Sequence, residues 1–206
     1  MFTVHHLNNS RSQRILWLLE ELELPYDLRR YERDAVTNLA PPELASVHPL
    51  GKSPILEFGN CRLAESGAIV EYLCTRYGRH LMPRVNSDAY LTHMELMHFA
   101  EGSAMMPILL QLYVGRLGDA GAPLKPRIQH QLNAHFAYME SMIRPSGHFV
   151  LDDLSAVDIM LSFPAEIAIK QGQGKVLPKL HQFVQDIHRR PAWLRALERG
   201  GDYNLA

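Results

Sequence analysis

Gly51-Lys52-Ser53-Pro54-Ile55-Leu56-Glu57-Phe58-Gly59-Asn60-Cys61-Arg62-Leu63-Ala64-Glu65-Ser66-Gly67 is the stretch on which the reading of the fold turns. A proline at a strand start needs no ladder N–H, so Pro54 can open a strand rather than break one. Two short stretches, Pro54 to Phe58 and Cys61 to Leu63, flank Gly59-Asn60, which has the chemistry of a hairpin turn. Ser66 then stands ahead of Ile69, Val70, Tyr72 and Leu73, the apolar face of a helix. Upstream, Phe2 to Leu7 reads as a strand, and Ser10 or Ser12 is placed to cap a helix carrying Ile15, Leu16, Leu18, Leu19 and Leu22. Pro25 ends that helix and Tyr26 to Tyr31 reads as a second strand. Residues 33–50 predict a loop with a short helix near Pro42-Glu43-Leu44. The predicted order is β-α-β-α-β-β-α.

Downstream the character changes. Pro83, Asn86 and Ser87 mark residues 80–88 as a linker between a domain at 1–79 and a second at 89–206. Beyond the linker there is no strand signal. Tyr90, Met94, Met97, Glu101 and Met105 share one helical row, and Pro107 should kink that helix. Ile128, Leu132, His135, Phe136, Met139 and Ile143 form a second stripe. Ser155-Ala156-Val157-Asp158 predicts a capping box with Asp in place of Glu. Leu180, Phe183, Val184 and Ile187 mark a further helix, and Pro191-Ala192-Trp193 opens a last short one. The fold class is therefore an α+β N-terminal domain followed by an all-α domain.

The totals exclude several functions. A chain of 206 residues with 47% hydrophobic and 21% charged residues buries a sizeable core. Its net charge of −1 gives no footprint for nucleic acid or an anionic membrane. No apolar run approaches the roughly 20 residues of a membrane span. The N-terminus lacks the basic and apolar regions of a signal peptide, so a cytoplasmic location is expected. Cys61 and Cys74 form no CxxC pair, which fits two reduced thiols and argues against dithiol reductase chemistry. The histidines are scattered: His93 and His98 are not at ligand spacing on one helix face, and His5-His6 alternates across a strand. No metal is expected.

Four local features carry chemistry. Asn8-Asn9-Ser10-Arg11 puts a hydroxyl at a helix N-terminus, where negative charge is favoured and a thiolate would be stabilised. Helix capping alone also accounts for Ser10. Ser53 before Pro54, if the bond is cis, offers its N–H and C=O to an incoming peptide; a trans proline at a strand edge explains the same residues. Glu65-Ser66 suits the ammonium and carboxylate of the zwitterionic end of an amino acid, such as a γ-glutamyl group, and equally an N-cap with a solvated neighbour. Glu101 on an otherwise apolar row needs a partner, or sits at the stripe's edge.

Taken together, these stretches resemble the cytosolic glutathione transferase family over essentially the whole chain. Similar in order and spacing are Asn9-Ser10-Arg11-Ser12-Gln13-Arg14, Pro42-Glu43-Leu44 with His48-Pro49-Leu50-Gly51-Lys52-Ser53-Pro54, and Leu63-Ala64-Glu65-Ser66-Gly67-Ala68-Ile69. Leu154-Ser155-Ala156-Val157-Asp158-Ile159 is similar to the capping motif of the helical domain. The nearest likeness is to bacterial and fungal serine-type enzymes related to the theta and beta classes. The resemblance implies a thioredoxin-like N-terminal domain and glutathione as co-substrate. It implies that Ser10 activates the thiol, with Asn8, Asn9 or a backbone N–H as the alternative. It implies a backbone contact from Ser53 before a cis Pro54, a γ-glutamyl clamp at Glu65 and Ser66, and help from Lys52 near the glycyl end. Asp158 would be structural. Glu101 would reach the γ-glutamyl amine bound by the other subunit of a homodimer. A pocket for a small hydrophobic electrophile is expected around the Asn8–Ser12 loop, Met105, Met106, Leu109 and Tyr113, although the methionines equally suit a plain core. The implied activity is conjugation, a detoxification reaction. Peroxidase, isomerase or dehalogenase chemistry on the same scaffold is the alternative, as is a non-catalytic interaction protein. Two departures stand out: Ser53 replaces the usual β-branched apolar residue, and the beta-class cysteine is absent at position 10.

Overall fold

A computed structural model describes residues 1–205. The chain forms two compact units, residues 1–81 with 186–206, and residues 82–185. The division passes through a helix. Residues 186–205, grouped by the sequence with the helical domain, belong to the first unit.

The first unit contains β1 (Phe2–Leu7), α1 (Ser12–Glu21), β2 (Tyr26–Tyr31), α2 (Glu43–Val47), β3 (Ile55–Phe58), β4 (Cys61–Ala64) and α3 (Ser66–Tyr77), the predicted order. The sheet runs β2-β1-β3-β4. β1 pairs parallel with β2, Phe2 opposite Tyr26 through Leu7 opposite Tyr31, and α1 makes the crossover that a parallel pair requires. β3 runs antiparallel to β1 with His5 opposite Ile55, and β4 closes the hairpin with Phe58 opposite Cys61. Gly59 takes φ +55° in that turn, a conformation glycine adopts without steric cost. Every residue of α1 from Ser12 to Leu19 is buried, because the helix contacts β1, α3 and the last helix at once. That is why its sequence, Ile-Leu-Trp-Leu-Leu, is apolar all round. On the other face of the sheet Leu7, Leu44 and Ile55 form a small core with Tyr31, Ala40 and Val47.

In the second unit α4 (Asp88–Phe99) passes through a π-helical turn at Ala100–Ala104 into α5 (Met105–Gly115). The expected disturbance at Pro107 is thus a π turn just upstream, in line with a proline that cannot hydrogen-bond back and crowds the carbonyl four residues earlier. Of the row Tyr90, Met94, Met97, Glu101 and Met105, read as apolar and buried, Met105 is buried, but the part on α4 is not that helix's core face. His93, Leu96 and Ala100 are buried instead, and Met94 is 38% exposed. Next come α6 (Lys125–Met142) and α7 (Ala156–Lys170). Of the predicted stripe, Ile128, Leu132, Phe136, Met139 and Ile143 are buried and His135 is half-buried, and α7 is buried continuously from Ala156 to Glu166. Ser155 and Asp158 cap each other reciprocally at the start of α7.

The unit boundary falls inside α8 (Pro178–His188). The chain ends with α9 (Pro191–Gly200), which docks on α1. Trp193 meets Trp17 edge to face with centroids 5.3 Å apart. Arg190 clamps Glu21 in a bidentate pair at 2.6 and 3.1 Å, while Glu21 also accepts from Trp17 Nε1 at 2.8 Å.

Candidate active site

Within the first unit, the predicted motifs converge on the end of β1. The N–H of Leu7 lies 3.1 Å from Ser53 Oγ and 3.3 Å from Ser12 Oγ. Ser53 Oγ donates in turn to the His5 carbonyl at 2.8 Å. The departure at position 53 therefore has a structural reason: the hydroxyl prolongs the β1–β3 ladder past its last backbone pair, where an apolar side chain would leave the His5 carbonyl without this bond. The Ser53–Pro54 peptide is cis. Ser53 is half-buried and Pro54 buried, while Lys52 beside them is exposed.

The loop after β1 is braced from two sides. The Arg33 N–H donates to Asn8 Oδ1 at 2.9 Å, and its guanidinium reaches the Asn8 and Asn9 carbonyls at 3.2 and 3.3 Å. From the C-terminus, the Asn204 N–H donates to Asn9 Oδ1 at 2.7 Å. Asn9 itself holds φ +50°, a left-handed conformation that asparagine tolerates better than most residues. Of Ser10 and Ser12, read as alternative helix caps, Ser10 accepts the N–H of Ser12, the first residue of α1, at 3.2 Å, from one residue before the N-cap position Arg11, while Ser12 makes no cap bond. Their hydroxyls bond to each other at 2.7 Å, and Ser12 Oγ lies 2.8 Å from His6 Nδ1. All three residues are buried. Burial, with the Arg30 guanidinium nearby, pushes the His6 pKa down to about 4.

At the start of α3, Ser66 is buried and Glu65 exposed. Glu65 has φ +70°, an uncommon conformation for a residue with a Cβ; such outliers concentrate at functional sites. Arg14, 1% exposed, reaches Ser66 Oγ at 3.4 Å. A buried guanidinium below free helix N–H groups makes this a place for a carboxylate.

The remaining predicted residues lie in the second unit. Glu101 is half-buried on the π turn. Met105 is buried in the core, Leu109 is half-buried, and Met106 and Tyr113 are exposed at 45% and 56%. A cavity of about 260 Å³ lies at α5 and α6, lined by Gln111, Val114, Gly115, Lys125, Ile128 and Gln129, of which the sequence named only Ile128, as a core residue. His6, Ser12 as a partner of Ser10, and Arg14 beneath Ser66 were also missed. Strand alternation, which sends His6 to the face opposite His5, was the one available signal for the first.

Comparison with known proteins gives the family of the chain. The glutathione S-transferase N-terminal domain model matches residues 2–75. Glutathione S-transferase 3 of Schizosaccharomyces pombe is 31% identical over 221 residues, covering 100% of this chain and 90% of that protein. Glutathione S-transferase 1 of Saccharomyces cerevisiae is 31% identical over 190 residues, covering 82% of this chain and 81% of that protein. A crystal structure of a glutathione S-transferase from Actinobacillus pleuropneumoniae matches with TM-score 0.90 and 32% identity, covering 100% of this chain and 95% of that one. A glutathione transferase homolog from Sulfitobacter with bound glutathione has the same fold, with TM-score 0.82, 20% identity and coverage of 97% and 98%. The β-α-β-α-β-β-α sheet unit, the cis Ser53–Pro54 peptide, the helical unit and the full-length likeness together make this chain a member of the glutathione S-transferase family.

Proposed function

We propose that the first unit binds glutathione, favours its thiolate, and supplies it for attack on a small hydrophobic electrophile. The observation that carries this reading is the meeting of two motifs at one backbone N–H, that of Leu7, with the third tied to α1 through Arg14 and Ser66. The Ser53 backbone beside the cis peptide would pair with the cysteinyl part, as a strand edge pairs with a peptide. Ser66, the N-terminus of α3 and Arg14 would hold the γ-glutamyl carboxylate, with Glu65 on the ammonium and Lys52 toward the glycyl end. Ser10 would donate to the thiolate, with Asn9 as the alternate donor. Glu101 would serve the amine bound by the other subunit of a homodimer, and Met105, Met106, Leu109 and Tyr113 would shape the electrophile pocket. A cytoplasmic detoxifying role follows from this chemistry.

The expected size of the effect is modest and measurable. A free thiol of pKa about 8.5 is mostly protonated at neutral pH. One charge-assisted hydrogen bond, worth about 1.5–3 kcal/mol, lowers that by about 1–2 units. The deciding experiment is an ultraviolet thiolate titration of glutathione bound to wild type and Ser10→Ala. A bound-thiol pKa near 7, raised by about 1–2 units in Ser10→Ala, supports Ser10 as the activator. A low pKa that survives the substitution moves the role to Asn9 or a backbone amide, and absence of binding refutes the reading. Parallel assays with chlorodinitrobenzene and a peroxide separate conjugation from peroxidase chemistry.

A further inference from the structure

The directions of three buried protons beneath Ser10 can be worked out. His6 Nδ1 faces Ser12 Oγ at 2.8 Å, so the ring's other nitrogen, Nε2, is the one that donates to the Gly200 carbonyl at the end of α9. Held near pKa 4 by burial and Arg30, the ring is neutral at pH 7 and carries a single proton. That proton sits on Nε2, which leaves Nδ1 as an acceptor for the Ser12 hydroxyl. The Ser12 proton is taken by His6 Nδ1 and by the Leu7 carbonyl at 3.2 Å, so Ser12 Oγ offers lone pairs to the Leu7 N–H at 3.3 Å and the Ser10 hydroxyl at 2.7 Å. Ser10 Oγ meanwhile accepts the Ser12 N–H at 3.2 Å. The Ser10 proton therefore points inward, away from any ligand.

One use of this chain can be dismissed by magnitude. A relay that carried the thiol proton through Ser10 and Ser12 to His6 would move it from a group of pKa about 8.5 to one near 4, disfavoured by roughly 10⁴. His6 is not the base. Its effect is to fix Ser12 as an acceptor.

We propose that Ser12 and His6 are positioning residues that tune the bound thiol by competing with the thiolate for the Ser10 proton. The proposal rests on Ser10 being the thiol's donor. While glutathione is a thiol, Ser10 keeps its bond to Ser12. For the thiolate to form, Ser10 must turn outward and Ser12 loses a donor. Ionisation thus forfeits one neutral hydrogen bond, which holds the bound-thiol pKa about 0.5–1 unit above the value Ser10 alone would give. Such restraint has a chemical benefit, since a thiolate loses nucleophilicity as its pKa falls. It also keeps a buried hydroxyl satisfied before glutathione arrives.

The test is a thiolate titration with saturating glutathione on wild type, Ser12→Ala, Ser10→Ala and the double variant. Ser12→Ala should lower the bound-thiol pKa by about 0.5–1 unit. Damage to packing would not make the thiol more acidic, so the sign itself separates tuning from a structural role. In the Ser10→Ala background the same change should move nothing, because the effect acts through Ser10. A folded Ser12→Ala whose pKa stays or rises, or an equal fall without Ser10, overturns the proposal. A Ser10→Ala variant that leaves the thiol unchanged overturns the reading of Ser10 itself, and the tuning with it. Should Ser12→Ala fail to fold, ¹⁵N NMR of His6 in the wild type decides: a bare Nδ1 with protonated Nε2 is required, and the opposite tautomer refutes the scheme.

Discussion

Replacing Asp158 by Ala should cost the helical unit more than any other single polar substitution derived from this structure. The carboxylate is fully buried. It accepts from the Phe149 N–H at 3.0 Å and the Ser155 N–H at 2.7 Å, and it also takes the Ser155 hydroxyl. The His148 ring lies 3.4 Å away. Alanine would strand two buried backbone donors, each costing about 1–3 kcal/mol, and would break the capping box of α7. The sum is about 3–5 kcal/mol, in the range reserved for a broken buried network. With a urea slope of about 1.5 kcal/mol/M for a unit of this size, the midpoint falls by about 2–3 M. The milder change Asp158→Asn keeps an acceptor oxygen for one donor and should lose about half as much. The assay is urea unfolding followed by far-UV circular dichroism. A midpoint for Asp158→Ala within about 0.3 M of wild type would refute the account of α7, given that slope.

Other predictions follow from the first unit. Ser53→Val removes the bonds to Leu7 and His5 and should cost about 1–2 kcal/mol, while leaving the glutathione KM within about twofold; a much larger rise in KM would mean that the side chain, not the backbone, carries recognition. Acid should destabilise this unit in a defined window. His6 is depressed from 6.5 to about 4, so between those values the unfolded chain binds a proton that the folded chain refuses, and stability falls as pH drops from 6.5 toward 4 and levels off below. The full loss is about 3 kcal/mol. The two tryptophans, Trp17 and Trp193, are both buried in this unit, so urea titrations by intrinsic fluorescence at pH 7 and 5 read it directly; equal midpoints, or an equal fall in a His6→Asn variant, would contradict it.

Much of the fold was readable because its signals are local. Phe2 to Leu7 and Tyr26 to Tyr31 alternate or run apolar as strands must, Gly59-Asn60 marks the hairpin, and Ser155 with Asp158 announces α7. What failed to show was tertiary. Ser10 and Ser12 obey the capping rule equally well, and only the structure separates them: Ser10 accepts the Ser12 N–H, while the Ser12 hydroxyl turns to the distant His6. The row chosen on α4 was one of two that fit helical spacing; burial of His93, Leu96 and Ala100 selects the other. The place of α9 was hidden for a similar reason. Arg190, Arg195 and Arg199 find Glu20 and Glu21 across nearly the whole length of the chain, a pairing that no periodicity in one sequence reveals.

The adjacent histidines show how the sheet controls the loop above it. Strand periodicity sends His5 to one face, where it lies 2.9 Å from the Tyr31 hydroxyl and 3.1 Å from Glu57, and His6 to the other, under Ser12. A one-residue slip of β1 would exchange their faces, parting His5 from Glu57 and Tyr31 and taking His6 from beneath Ser12. The register is pinned on both sides, by the parallel pairing with β2 and the antiparallel pairing with β3. The acceptor that orients the Ser10 hydroxyl is therefore held by the centre of the sheet and by the end of α9, not by the loop that carries Ser10. Under the proposed tuning, the strength with which that acceptor competes for the Ser10 proton is set by the register of β1, so a change in the sheet would be read as a change in the bound-thiol pKa.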